Sequence, residues 1–339
     1  MMKIALDVMG GDNAPQATIE GAILTAKSSD CKIFLVGNEK QIIDELSKYH
    51  KRYDMTKFNF EIVNATEVIT MDDHPAKAVR SKKDSSLAVC AKLVAEGKAD
   101  GFVSMGNSGA VMAAALFYLK RIEGVLRPTL LTPFPTIDGV VLLADMGANV
   151  DCKPEHLLQF AIMSDIFCKN IFGIKNPKVA LVSIGEEATK GNELSLESFK
   201  LIEKADLNFI GNVEGRDIPL GKADIVVCDG FVGNVVLKFG EGLYEMFLKL
   251  VMRGFKRHPI AWASIPFLWT ALRDLKKKLD YSEFGGVPLL GVDGVCIIGH
   301  GRSNGKAVKN AIFAGMRAAQ YNLSEAISNA LNNNGKTNG

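Results

Sequence analysis

The sequence predicts a doubly wound α/β/α sandwich. Apolar runs alternate with amphipathic helical patterns along nearly the whole chain, which is typical of βα units. The apolar runs are continuous, as in strands of a parallel sheet that are buried on both faces. Each run stops at a defined residue: Gly37, Asn64, Gly106, Gly147, Gly185, Val213 or Gly230. Between them, residues 155–172 and 193–204 read as helices.

Composition fits a soluble globular chain with a large core and excludes several classes of protein. The 339 residues are 47% hydrophobic and 23% charged, and the formal net charge of +2 gives no global field for nucleic acid. The six cysteines are scattered, as buried free thiols of a reducing compartment would be. No apolar run reaches the roughly 20 residues of a membrane-spanning helix, and the first residues do not resemble a signal peptide. We therefore expect a cytoplasmic protein.

The chain shows no linker and no internal repeat. The expected organisation is one α/β domain over residues 1–332, with residues 253–280 as a protruding helical hairpin inserted into it. The polar stretch 333–339 is expected to form a disordered tail.

The first strand leads into an unusual loop, "VMGGDNAP". The apolar run ends at Gly10 and Gly11, and Asn13 is placed to cap the next helix, with Gln16 completing a capping box. Glycine permits close approach of the backbone to a ligand, and the helix start offers free N–H groups. The pattern indicates an anion site.

Five further strand ends carry glycine with Asn, Asp or Ser. They are "MGNSGA", "DMGANVD", "SIGEEATKGN", "CDGFVGN" and "GHGRSNGKA". Each alone is better explained as a short, well-capped turn, but six such loops in one chain favour an anionic ligand. The standard nucleotide fingerprints are missing from the sequence, so a conventionally held nucleotide cofactor is not expected.

The sequence offers few candidate catalytic or metal-binding side chains. The five histidines lie in no nucleophile elbow. Lys190 lies in a glycine-closed loop, where it is either an anion ligand or an ordinary surface lysine. The basic stretch 74–86 is either a docking patch or a solvated face. Asp7, Asp12, Asp145 and Asp229 stand at strand ends, but their convergence is not visible in the sequence, so no metal is predicted.

Residues 253–280 form the last distinctive segment. Trp262 and Trp269 lie in an apolar run that Lys and Arg flank on both sides, a pattern typical of a membrane interface. Trp262, Phe267, Leu268 and Trp269 are the expected membrane contacts. A hairpin packed in the core, or a dimer interface, fits the composition equally well.

A family resemblance covers residues 3 to about 330. The motifs "IALDVMGGDNAP", "AVRSKKDSS", "SMGNSGA", "RPTLLTPFPT", "DMGANVDCKPEHL", "KGNEL", "FIGNVEGRDI", "DGFVGNVVLK" and "YSEFGGVPLLG" occur in order. Together they resemble the bacterial acyl-acyl-carrier-protein:phosphate acyltransferases of phospholipid synthesis.

The resemblance implies a fold similar to phosphate acetyltransferases and to isocitrate and isopropylmalate dehydrogenases, working as a homodimer without a cofactor. It implies transfer of a long fatty acyl chain from acyl carrier protein to inorganic phosphate, giving acyl phosphate for phosphatidic acid synthesis. Such enzymes associate peripherally with the anionic cytoplasmic membrane surface, where a membrane glycerol-3-phosphate acyltransferase is the expected recipient of the product.

The physical needs of that reaction assign expected roles to loop residues. The catalytic candidates are Lys190, Asn107 and Asn234. The candidates for phosphate or substrate binding are Asp7, Gly10, Gly11, Asp12, Asn13, Gly106, Ser108, Asn149 and Asn192. For the acidic carrier protein, the docking candidates are Arg80, Lys82 and Lys83, with the run 276–278 as an alternative. Rival functions are a phosphate acetyltransferase-like enzyme using acyl-CoA, a dehydrogenase, and a non-catalytic membrane scaffold.

Overall fold

The computed structural model describes residues 1–257, 270, 273 and 285–336. Its strands are β1 Lys3–Asp7, β2 Lys32–Gly37, β3 Phe60–Asn64, β4 Gly101–Ser104, β5 Thr129–Leu130, β6 Thr132–Pro135, β7 Val140–Ala144, β8 Val179–Val182, β9 Phe209–Val213, β10 Ile225–Val227, β11 Val287–Leu290 and β12 Val295–Ile298. Several of these strands end at the residue where the apolar run predicts the end, as β2, β3 and β9 do.

The helices fill the segments between the strands, as the sequence predicts. They are α1 Gln16–Ala26, α2 Glu39–Ser47, α3 Pro75–Ser81, α4 Ser86–Ala95, α5 Ser108–Tyr118, α6 Pro154–Phe167, α7 Glu193–Glu203, α8 Gly230–Arg257, α9 Gly305–Gln320 and α10 Leu323–Lys336. A turn of π-helix, Cys168–Phe172, extends α6 to the end of the predicted helical stretch.

The strands form two sheets. The first has the order β3-β2-β1-β4-β12-β11-β5 and the second the order β6-β7-β10-β8-β9. Most neighbours are parallel, while β11 runs antiparallel to both β12 and β5, and β6 runs antiparallel to β7. Leu131 alone separates β5 from β6, so the chain passes from one sheet into the other through a single buried residue.

Helices cover both faces of each sheet, which confirms the three-layer α/β/α architecture. On β1, Ile4 and Leu6 pack with α1 and α9, while Ala5 faces α3, α4 and α5. In the second sheet, Leu142 packs with α6, α7 and α10, and Leu143 faces the α8 side. Continuous apolar strands are therefore explained by burial on both sides.

Two local predictions differ from the structure. Helix α1 begins at Gln16 and has no side-chain cap, because its cap position is Pro15 and not Asn13, and a proline side chain offers no hydrogen-bond acceptor. Helix α10 continues to Lys336, into the stretch 333–339 that was expected to be a disordered tail. Its Leu323 and Ile327 are buried in the core of the second sheet, and this burial stabilises the helix.

Candidate active site

The first sheet has a topological switch point between β1 and β4. From β1 the chain continues to β2 on one side, and β4 lies on the other side. Ligands of open α/β sheets bind outside the carboxyl ends of the strands at such a point. The loops that follow β1, β4 and β12 meet there: Asp12 N donates to Gly301 O (2.8 Å), and Gly299 N donates to Ser104 O (2.9 Å).

Asp7 forms the buried floor beneath these loops. Ser104 Oγ donates to Asp7 Oδ2 (2.7 Å) and accepts from Gly106 N (3.1 Å), which ties the two strand ends together. Burial raises the pKa of Asp7 above its ordinary value. A Cβ at position 10 would lie 2.6 Å from Asp7 Oδ2 and 2.9 Å from Gly106 N. Gly10 is thus required by packing, and Asp7 supports the loop from below.

The loop after β12 is also part of the site, although none of its residues is among the predicted site residues. Asn13 Nδ2 donates to Arg302 O (3.3 Å) and Ser303 O (3.2 Å), so the predicted cap instead joins two loops. Arg302 is exposed, and Asn304 caps the sixteen-residue helix α9 by accepting from Ala307 N. The glycine and asparagine of "GHGRSNGKA" mark this loop as a candidate. Its contact with Asn13 joins residues about 290 positions apart in sequence, so the sequence pattern does not show it.

Asn107 and Ser108 begin helix α5 differently. Asn107 Oδ1 accepts from Ala110 N (3.1 Å), while its Nδ2 donates to Met71 O (3.1 Å) and Asp73 O (3.4 Å). The amide therefore holds the loop before α3 against α5, and its predicted catalytic role stays a prediction. Ser108, in the first turn, is exposed to solvent.

The second sheet contributes a group of loops around Asp145. Its Oδ2 accepts from Asn149 N (2.6 Å) and Asn149 Nδ2 (3.0 Å), and Asn149 Nδ2 also donates to Pro128 O (2.7 Å). Asn149 is buried, so its amide braces the loop instead of facing solvent. Burial raises the pKa of Asp145. Asn234, in contrast, is exposed on α8 close to Gly147.

Lys190 and Asn192 lie in the loop between β8 and α7. Lys190 N donates to Glu187 O (3.0 Å), and Ser183 Oγ donates to Lys190 O (2.8 Å), so the backbone of the loop is held at both sides. Asn192 caps α7 by accepting from Ser195 N (2.9 Å). Within the described residues the exposed Lys190 ammonium has no carboxylate partner, whereas nearby Lys222 is paired with Glu186. Its charge is available to an anion.

Hydrogen bonds and packing connect the predicted residues within three groups of loops. The first holds Asp7, Gly10, Gly11, Asp12, Asn13, Gly106, Asn107 and Ser108; the second holds Asn149 and Asn234; the third holds Lys190 and Asn192. The second group touches the first sheet, because Leu130 N of β5 donates to Asp145 Oδ1 (2.9 Å).

The predicted docking residues differ in exposure and in hydrogen bonding. Arg80 and Lys83 are exposed. Lys82 is not available in the same way, because its Nζ donates to Asp73 Oδ2 (2.6 Å) and Val68 O (2.9 Å). The structure thus gives Lys82 a bracing role in the loop before α3.

The expected membrane contacts Trp262, Phe267, Leu268 and Trp269 lie outside the described residues. Among the helices that the structure does describe, none combines the length and the apolar character needed to cross a bilayer. In that same part of the chain, no three His, Cys, Asp or Glu side chains are grouped closely enough to hold a metal ion.

Comparison with known proteins decides the family. A family model described as "Fatty acid synthesis protein" matches residues 2–326. A phosphate acyltransferase of Endomicrobium trichonymphae is 68% identical over 97% of this chain and 98% of its own length. One from Desulfitobacterium hafniense is 48% identical over the same shares. The chain belongs to the phosphate acyltransferase family. It is an acyltransferase enzyme.

Solved structures support the fold of this phosphate acyltransferase family member. The EutD phosphotransacetylase from Staphylococcus aureus aligns with a TM-score of 0.61 at 18% identity, over 94% of each chain. A 4-hydroxythreonine-4-phosphate dehydrogenase from Klebsiella pneumoniae aligns with a TM-score of 0.51 at 12% identity, over 94% of this chain and 98% of its own. At such identities the likeness shows the fold alone.

Proposed function

We propose that this phosphate acyltransferase moves a long fatty acyl group from the thioester of acyl carrier protein to inorganic phosphate. The product, acyl phosphate, supplies phosphatidic acid and phospholipid synthesis. The observation that carries the proposal is the loop edge at the β1/β4 switch point, where glycine loops and helix starts meet, in a chain of this family.

The reaction asks for positioning and charge stabilisation. A phosphate oxygen forms a bond to the thioester carbonyl carbon, the C–S bond breaks, and the sulfur leaves with the electron pair and takes up a proton. Holding the two reactants side by side supplies much of the rate, and fixed donors stabilise the tetrahedral oxyanion. The exposed Lys190 ammonium, which has no carboxylate partner among the described residues, and the exposed Ser108 at the start of α5 are suited to these tasks. No covalent acyl-enzyme is needed.

The test is a donor and acceptor assay on the purified protein. Long-chain acyl carrier protein is consumed only when phosphate is present, and acyl phosphate appears in equal amount. Phosphate-dependent turnover of acetyl-CoA, with no turnover of the carrier-linked donor, would assign the enzyme to the phosphate acetyltransferase-like alternative. Consumption of neither donor would overturn the proposal.

The carrier protein is proposed to dock beside the first group of loops. Arg80 and Lys83 are exposed cations on and just after α3, whose start is held to α5 by Asn107. Acidic carriers are attracted by such charges, mainly through faster encounter.

The enzyme is proposed to act as a homodimer through α8. Phe231, Val235, Phe239, Leu243, Met246 and Leu250 are each at least 43% exposed and recur every three or four residues. They form one stripe along the helix, and the ion pairs Lys238–Glu241 and Lys249–Glu245 lie along one flank of that stripe. Monomeric proteins rarely expose an apolar surface of this extent. A second copy of the same helix is the proposed partner.

Membrane contact is proposed for the segment that follows α8. The support is the sequence pattern of Trp262, Phe267, Leu268 and Trp269 between basic residues. Acyl phosphate with a long chain dissolves poorly in water, so release at an anionic membrane surface would deliver it to a membrane glycerol-3-phosphate acyltransferase. The protein would then be cytoplasmic and peripherally attached.

A further inference from the structure

Helices α3 and α5 run side by side in the same direction from the edge of the first sheet. At their starts they touch: a Cβ on Gly109 would lie 2.9 Å from Pro75 Cγ. Farther along both helices a groove with a volume of about 270 Å³ opens between them. It is lined by Ala76, Val79, Arg80, Ala113, Leu116 and Phe117. We call it the α3/α5 groove.

The α3/α5 groove is apolar although it is open to solvent. Five of its six lining residues carry no charge, and Arg80 is the exception. Val79 is buried at its base, whereas the Phe117 ring is 52% exposed at its edge. Two alanines, Ala76 and Ala113, leave the space open. A contiguous apolar recess on the surface marks a binding site more often than a scattered single side chain does.

The α3/α5 groove leads away from the proposed reaction site. Ser108 starts α5 directly after the Gly106 loop, and Ala113 and Phe117 follow at five and nine residues along the helix. At 1.5 Å per residue these positions lie roughly 8 Å and 14 Å from the helix start. A carbonyl group held at the loop would therefore have the groove within reach of the first several carbons of its chain.

We propose that the α3/α5 groove binds the acyl chain of the thioester substrate. The inference rests on the proposed function and deepens it by assigning the chain its own site. An alkyl chain fits better than a protein partner, because a stable protein interface covers about 800 Å² per side, far more than six residues provide. Burial of each methylene group strengthens binding by about fourfold. The groove thus makes the enzyme select long chains.

The test is a chain-length series with Ala113→Trp, which fills the α3/α5 groove. Acyl phosphate formation is measured with small thioesters of 4, 8, 12 and 16 carbons in excess phosphate. In the native enzyme kcat/KM rises with chain length. In A113W we expect a loss of at least tenfold with 16 carbons and less than a twofold change with 4 carbons. The control is Ala95→Trp, at the exposed end of α4, which should leave the whole series unchanged.

A second variant protects the test against misfolding of the first. Phe117→Ala removes a ring that is already half exposed, and it should lower kcat/KM for 16 carbons while sparing 4 carbons. An unchanged chain-length dependence in the folded variants would overturn the proposal. So would a loss restricted to carrier-linked donors at every chain length, because the groove would then be a docking site for the carrier. If the native enzyme forms no acyl phosphate from any donor, the proposed function itself fails.

Discussion

Lys190 is the side chain whose surroundings most favour a direct part in acyl transfer. Lys190→Ala should lower kcat by about 10²–10³-fold, the usual cost of one preorganised contact to an oxyanion. The fold should persist, because the side chain is exposed and its loop is held by backbone hydrogen bonds. The measurement is steady-state acyl phosphate formation alongside a thermal melt. Lys204→Ala, an exposed lysine at the end of α7, is the control, and equal activity of the two variants would remove Lys190 from the mechanism.

Asp7 should give the protein a pH-dependent cost of folding. Burial raises its pKa above 3.8, so folding favours the protonated carboxyl group. Its contribution to the free energy of unfolding is full below the unfolded pKa and is lost as the pH rises through the raised value. Asp7→Asn does not titrate, so its melting temperature relative to the native protein should improve as the pH rises from 4 to 7.

Thermal unfolding across that range measures the Asp7 effect. Asp44→Asn, an exposed carboxylate on α2, is the matched control and should show no such trend. A constant difference between D7N and the native protein at all pH values would show that Asp7 does not carry the cost.

At this scale the sequence predicted where polar residues collect but not what each one contacts. Asn13 was expected to cap α1 and instead reaches the loop after β12, and Lys82 was expected to be free and instead pairs with Asp73. The Asn13 amide and the Lys82 ammonium can each donate to several acceptors, and each finds two of them in another loop. Which partner each side chain finds depends on loops that come together only after the sheet has formed. A local sequence pattern does not encode such contacts.

Helix α8 carries the clearest prediction at the scale of the element. Its 28 residues extend roughly 42 Å, with an exposed apolar stripe and a charged flank beside it. If α8 forms the proposed dimer interface, Phe239→Glu combined with Leu243→Glu should give a monomer, because a charge would be buried in an apolar contact. Sedimentation velocity reports the mass. The control Glu245→Gln changes a charged position on the flank of the apolar stripe, and an equal mass for both variants would exclude α8 as the interface.

Strand positions were predictable because burial on both faces leaves a strong apolar signature, as at β2 and β4. The division into two sheets was not predicted. Continuous apolar runs say that a strand is covered, but they do not say which strand lies beside it. The antiparallel strands β6 and β11 contain proline and are short, so their apolar pattern is weak as well.

Membrane attachment is a prediction about the whole molecule. Replacing Trp262 and Trp269 by Glu should release the protein from anionic vesicles while turnover of carrier-linked donor in solution stays near native. High salt should weaken native binding without abolishing it, since salt screens the basic flanks but not apolar insertion. Vesicle flotation measures binding. If the double variant becomes monomeric or unfolds, the segment belongs to the interface or the core, and the membrane assignment is wrong.

The passage of the chain through Leu131 has a consequence for synthesis on the ribosome. The second sheet is inserted in the chain between β5 and β11. About 190 further residues must therefore be synthesised after β4 before its neighbour β12 can pair with it. At 5–20 residues per second this takes roughly 10–40 s. During that interval the nascent chain presents an open edge on β4, and the strands of the second sheet are completed before β12 is made. Slow elongation therefore prolongs the exposure of an aggregation-prone edge in this enzyme.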